Sequence, residues 1–101
     1  MKEDIFNDAA YDALSHLFEL LQETSKYMDL DVELSDGILY ITLPSDEQYV
    51  INKHGPSKQI WLSSPITGAS YYNYDESSNI FINKSQESLL DKVQKELAKY
   101  E

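Results

Sequence analysis

The sequence predicts an α+β fold: a two-layer sandwich in which an N-terminal and a C-terminal helix pack on one face of a five- to six-stranded antiparallel sheet. Three observations lead there. Apolar residues spaced three and four apart, the helical signature, occur only at the two ends of the chain. Between them, short segments alternate apolar and polar residues and are separated by turn chemistry, with no crossover helices of the kind parallel strands require. Two helices cover one face of such a sheet and leave the other free.

From about Glu3 to Ser25, Phe6, Ala10, Leu14, Leu17 and Leu21 form an apolar stripe that Ala13 and Phe18 widen. Asp4, Asp8, Asp12, His16, Glu19 and Glu23 fall on the opposite side as one acidic ridge. Like charges four residues apart destabilise a helix by roughly a few tenths of a kcal/mol per pair, and no Lys on that face offsets them. Selection for solubility alone would have mixed the signs.

Asp29 to Ser35 and Ile38 to Leu43 flank Asp36-Gly37, the strongest short-range hairpin signal. A two-residue loop places Leu34 opposite Leu39, Val32 opposite Ile41 and Leu30 opposite Leu43, one wholly apolar face. The outer face then carries Asp29, Asp31 and Glu33, charges that also suit an exposed edge strand. After the turn Pro44–Glu47 come Tyr49 to Lys53 and Lys58 to Ser64, with His54-Gly55-Pro56-Ser57 as the expected loop. That loop pairs Lys53 with Lys58, Ile51 with Ile60 and Val50 with Trp61. Tyr49, Ile51, Ile60 and Leu62 face the core, while Val50, Asn52, Gln59, Trp61 and Ser63 face the other way.

The only Trp thus sits among amides and a hydroxyl. Either another element covers Trp61 and makes it ordinary core, or it marks a binding surface. Pro65 to Ala69 is expected as a loop, followed by strands from Ser70 to Tyr74 and Asn79 to Asn83, with Tyr71, Tyr72, Tyr74 and Phe81 giving the sheet aromatic bulk. Ser85 is the expected N-cap of a second amphipathic helix with Leu89, Leu90, Val93, Leu97 and Tyr100 on its stripe and Lys92, Lys95 and Lys99 towards its C-terminus.

Composition narrows the function. The net charge is −10, and all of it lies in residues 1–47, where 12 acidic residues face 2 Lys; residues 48–101 hold 6 of each sign. That field repels nucleic acid and anionic membrane and attracts cations or a basic protein. Without Cys there are no disulfides or thiolate sites, and without Arg there is no bidentate grip on phosphate or carboxylate. With no membrane-length apolar run or secretion signal, a soluble intracellular protein is expected.

Asp8, Asp12, Glu19, Glu23, Asp29 and Asp31 offer oxygen donors for hard cations, and His16 adds one nitrogen; Asp12 and His16, four residues apart, can share an ion. No loop wraps several ligands around one centre, so binding is expected to be shallow, weak and screened by salt. A solvated acidic face without a specific site is the plainer alternative. Neither His16 nor His54 has a Ser or Asp arranged for nucleophilic catalysis, and no Gly-rich phosphate loop exists, so no active site is expected.

The run Tyr49-Val50-Ile51-Asn52-Lys53, then Pro56, Lys58-Gln59-Ile60-Trp61-Leu62-Ser63-Ser64-Pro65 and Gly68, resembles the signature of the frataxin family, including its bacterial form CyaY. The element order on both sides fits, so residues 1–101 are expected to form a single frataxin-like domain. The resemblance implies an iron-binding regulator or iron chaperone of iron–sulfur cluster assembly. Ferrous and ferric iron would sit weakly on surface carboxylates, with Asp8, Asp12, Glu19, Glu23, Asp29 and Asp31 in matching places and His16 among them. The partners implied are a cysteine desulfurase and an iron–sulfur scaffold protein, contacted through Val50, Asn52, Lys53, Gln59, Trp61 and Ser63. Ala9 and Leu20 depart from the family where its ridge is sometimes acidic, which weakens the case for some minor iron sites.

Members of that family often carry a tail between the helices; here the chain stops almost where the second helix does, which predicts modest stability. The expected state is a monomer open to oligomerisation with iron. Beginning at Met1 with an acidic helix favours a bacterial cytoplasm, although a trimmed mitochondrial matrix form would look the same. Two other readings are a ferroxidase working through paired carboxylates and, with the resemblance set aside, an acidic inhibitor filling a basic cleft.

Overall fold

Six strands follow one another in space as they do in sequence, forming one antiparallel sheet in the order β1 to β6. They are β1 (Asp31–Ser35), β2 (Ile38–Thr42), β3 (Gln48–His54), β4 (Gln59–Ser64), β5 (Gly68–Asp75) and β6 (Ile80–Ile82). Helix α1 (Glu3–Thr24) precedes them, and α2 (Leu89–Leu97) follows, ending in a 3-10 turn Ala98–Tyr100. This computed structural model describes residues 1–26 and 28–100; Tyr27 and Glu101 lie outside the described residues. Helix α1 lies over β1, β2 and β3, and α2 against β6, so both helices cover one face, as expected.

The first hairpin has the register expected of Asp36-Gly37. Val32 faces Ile41 and Leu34 faces Leu39, and both turn residues have positive φ, 54° for Asp36 and 76° for Gly37. That pair of left-handed residues is a type I′ turn, whose twist matches the strands it joins. The strand starts at Asp31, so Asp29 lies just outside it, although Leu30 and Leu43 are still buried together in the core.

The central hairpin differs from expectation by one step in its loop. His54 belongs to the strand and pairs with Gln59, and the four-residue connection is Gly55–Lys58. It is closed by a 3.1 Å hydrogen bond from the Lys58 N–H to the Gly55 carbonyl. Lys58 takes the left-handed conformation there, φ 53°, and thereby serves as the turn's last residue. Ile51 consequently faces Leu62, and Asn52 faces Trp61. Because the register moved by two, each side chain keeps its predicted face.

Two further expectations are corrected. Residues 68 and 69, read as loop, extend β5 and pair with Ser64 and Ser63. The α2 N-cap is Ser88 rather than Ser85, its hydroxyl accepting from the Asp91 N–H at 3.0 Å. The Asn83 side chain explains the delay: its carbonyl oxygen accepts from the N–H groups of Ser85 and Glu87, and Gln86 between them sits at φ 66°. That turn leaves no helical path until Ser88. Tyr100 falls in the terminal 3-10 turn and is 38% exposed, not part of the buried stripe.

Phe6, Ala10, Leu14, Leu17 and Leu21 of α1 and Leu89, Val93 and Leu97 of α2 seal against Leu39, Ile41, Tyr49, Ile51, Ile60, Leu62, Tyr72 and Phe81. Burying each such large apolar side chain contributes roughly 1.5–3 kcal/mol. Among the described residues, one buried side chain is charged. Glu96, 3% exposed, accepts hydrogen bonds from Tyr49 Oη at 3.1 Å, Thr67 Oγ1 at 2.7 Å and the Ser64 hydroxyl, and pairs with Lys92 Nζ at 3.3 Å. Burial alone would raise the Glu96 carboxyl, but the bonds from Ser64, Thr67, Lys92 and Tyr49 outweigh it and hold it below its ordinary range. Burial, then the nearby Glu96 charge, pushes the Tyr49 phenol upward. This network bolts α2 to the ends of β3 and β4.

Candidate functional site

The acidic ladder on α1 is exposed along its whole length: Asp8, Asp12, His16, Glu19 and Glu23, and then Asp29 and Asp31 where the chain enters β1. Steps of three and four residues set successive side chains about 5–6 Å apart at Cβ, a linear row rather than a cup. Among the described residues, Glu23 alone of this row has a cation in salt-bridge range, Lys26 at 2.9 Å, and both are well exposed. Among the described residues, no group of three or more acidic or imidazole side chains converges as a metal site. Such a row can hold a hydrated cation by long-range attraction and one or two direct oxygens, which makes for loose, salt-sensitive capture.

The sheet's uncovered face is the second feature. Trp61 lies there half-buried, not under the helices, so it is not part of the core beneath them. Val50, Asn52, Gln59 and Ser63 share its face. Lys53 does not: it pairs with Ile60 and its amine bonds Asn7 of α1 at 3.0 Å, so it belongs to the helix side of the strand. The alternation along β3 requires this, since Lys53 follows Tyr49 and Ile51 in parity.

The indole is held on several sides. His54 stacks flat on it, ring centroids 3.8 Å apart and planes 13° from parallel, and Tyr71 meets it edge-on at 5.4 Å. Trp61 Nε1 donates to Gln59 Oε1 at 3.0 Å, and Gln59 Nε2 reaches Asn73 Oδ1 at 3.4 Å. The same face continues through Ile38 and Tyr40 on one side and Tyr71, Ile80 and Ile82 on the other. Tyr71 is 49% exposed. His54 and Tyr71 were missed as members of this patch. Extending the strand pattern of β3 by one residue would have found His54, whereas the cross-sheet neighbour Tyr71 needed the β4–β5 register.

A family model described as a frataxin-like domain matches residues 1–100. The chain belongs to the frataxin family. It is 30% identical over 99 residues to the mitochondrial frataxin of Arabidopsis thaliana, covering 95% of this chain and 53% of that protein. The chain spans about half the length of the curated frataxins it matches first. Among solved structures, a trimeric yeast frataxin (Saccharomyces cerevisiae) complexed with ferrous iron superposes with a TM-score of 0.80 at 36% identity, over 90% of this chain and 83% of that one. Frataxin from Psychromonas ingrahamii shares the fold, with a TM-score of 0.82 at 23% identity over 99% and 91% of the two chains. Among the described residues of this family member, no helix is long and apolar enough to cross a membrane.

Proposed function

We propose that this frataxin-family chain, acting as one domain over residues 1–101, carries ferrous or ferric iron as loosely held cargo and regulates iron–sulfur cluster assembly. Asp8, Asp12, His16, Glu19, Glu23, Asp29 and Asp31 hold the iron through oxygen and one imidazole nitrogen. Val50, Asn52, Gln59, Trp61 and Ser63 dock on a cysteine desulfurase and its scaffold protein, in a bacterial cytoplasm or a mitochondrial matrix. The observation that carries the reading is the uncovered aromatic and amide face beside a row of exposed carboxylates, of which Glu23 is paired with Lys26. A yeast relative complexed with ferrous iron supports the cargo, and its trimeric state supports oligomerisation with iron.

Anaerobic titration with ferrous iron at low and at raised salt tests the cargo: weak binding that fades with salt is expected, and no binding at low salt sinks it. Size-exclusion chromatography with a desulfurase and scaffold, with and without iron, tests the partner. Oxygen uptake during the iron titration separates a carrier, which leaves the oxidation rate unchanged, from a ferroxidase.

A further inference from the structure

We propose that His54 is a positioning residue that makes docking on the Trp61 face pH-dependent, weakening it as the solution is acidified. The inference rests on the reading that this face binds a partner. It begins from the stack: the imidazole lies flat on the indole, 3.8 Å between centroids, while its Nδ1 is 2.7 Å from the Ser57 hydroxyl. The ring is therefore held by its own turn, and among the described residues Nε2 has no hydrogen-bond partner. From the other side, Tyr71 and Gln59 hold the indole, so His54 and Trp61 form one unit.

Imidazole is the side chain whose charge changes near neutrality. A protonated ring over an indole gains attraction from the ring's quadrupole, so protonation tightens the stack and keeps the indole on His54 rather than on a partner. It also places a full positive charge in the patch. The titratable and charged groups that share this face or its adjoining turns are Lys58, Asp36 of the β1–β2 turn, Tyr40, Tyr71, Asp75 and, towards the other end of the sheet, Asp31 and Glu33. Asp75 is already engaged by the Ser77 and Ser78 hydroxyls, and among the described residues no carboxylate pairs with His54. Asp31 and Glu33 lie two strands from β3 and level with Gln48 and Val50, six and four residues along the strand from His54, so roughly 16–22 Å away and screened from it at physiological salt. The net charge of −10 on the chain selects a basic partner, and a histidine cation in the patch opposes that partner, so both effects have the same sign.

The chain's only Trp makes the test direct. Its emission is followed on the isolated protein from about pH 8 to about pH 5.5, the range in which imidazole titrates. An imidazolium against the indole quenches it, so a single sigmoidal fall is expected, absent from His54→Gln and retained in His16→Gln. Affinity for the desulfurase–scaffold complex is then measured at both ends of the range. Wild type is expected to lose about threefold to tenfold on acidification relative to His54→Gln, the variant cancelling titration within the partner. Emission that is flat in wild type, or that falls equally in His54→Gln, overturns the stack as a proton sensor. Equal pH dependence of binding in the two proteins overturns the control of docking. Absence of binding at every pH, with the emission change intact, instead overturns the docking reading and this regulation with it.

Discussion

Alternate residues of the same six strands build two surfaces of opposite kind. On the helix side Leu39, Ile41, Tyr49, Ile51, Ile60 and Leu62 are sealed, and even the charge placed there, Glu96, has every hydrogen bond it needs. On the open side, Val50, Asn52, Gln59, Trp61 and Tyr71 satisfy one another only in part and remain accessible. The difference teaches that the sealed and the accessible surface are separated here by parity along a strand rather than by region of the chain. Neighbours in sequence should therefore respond very differently to the same substitution.

The largest expected effect tests that directly. Ile51→Ala removes a fully buried side chain and should destabilise the fold by about 2–5 kcal/mol, whereas Val50→Ala next to it should cost under about 1 kcal/mol. Urea unfolding of both variants decides. Equal losses would break the comparison, because they would mean the open face is packed as tightly as the sealed one.

Glu96→Gln comes next, at roughly 1–3 kcal/mol for weakening a buried hydrogen-bonded network. Its pH dependence has a defined sign. The carboxyl is held below its ordinary range in the fold, so its contribution is complete above about pH 4.3, the unperturbed value, and is lost as pH falls through the lower folded value. Tyr49 is shifted upward, so its contribution is complete below about pH 10 and is lost at more alkaline pH. The Gln variant should flatten the acid arm of the stability profile. An unchanged acid arm would show that other carboxylates set it.

How far the sequence reveals all this depends on which interactions are local. Asp36-Gly37 specifies its turn from two residues, and its register came out as expected. The central hairpin slipped by two yet kept its faces, because parity survives such a slip. Lys53 does not share the face of the other expected partner residues: parity assigns it to the helix side, where Asn7 receives it. Ser85 is the N-cap the pattern suggests, and Ser88 is the cap observed, because the Asn83 side chain acts through a turn the pattern does not show. Glu96 was illegible for a deeper reason. Set among Asp91, Lys92, Lys95 and Lys99 it resembles any solvated charge, and only Tyr49, Ser64 and Thr67, brought from 29 to 47 residues away, reveal it as buried.

On the open face, Trp61→Ala sharpens the comparison by reversing its currency. The loss of stability should stay near 1 kcal/mol, since the ring lies on the open face against His54, Tyr71 and Gln59 and outside the buried core. Partner affinity should fall by tenfold or more, about 1.4 kcal/mol or above, as expected of a central aromatic anchor. Thermal melts and binding isotherms on one preparation measure both. A variant that unfolds would assign Trp61 to the core and remove the distinction between the faces.

The smallest effect on stability is expected where the charge is densest. Asp8→Asn with Asp12→Asn removes like charges spaced four apart on α1, with no cation paired to either among the described residues. Stability should therefore hold or rise by about a few tenths of a kcal/mol, while iron affinity at low salt falls and the difference from wild type shrinks as salt is added. That combination separates a row of carboxylates kept for cation capture from one that merely keeps the surface wet. The wet-surface reading predicts the same stability change but no change in iron binding, so the titration alone distinguishes them. It also extends the lesson of the two sheet faces to the helix: the outer side of α1 gives up a little stability to present unpaired charge, just as the open face leaves an indole partly uncovered.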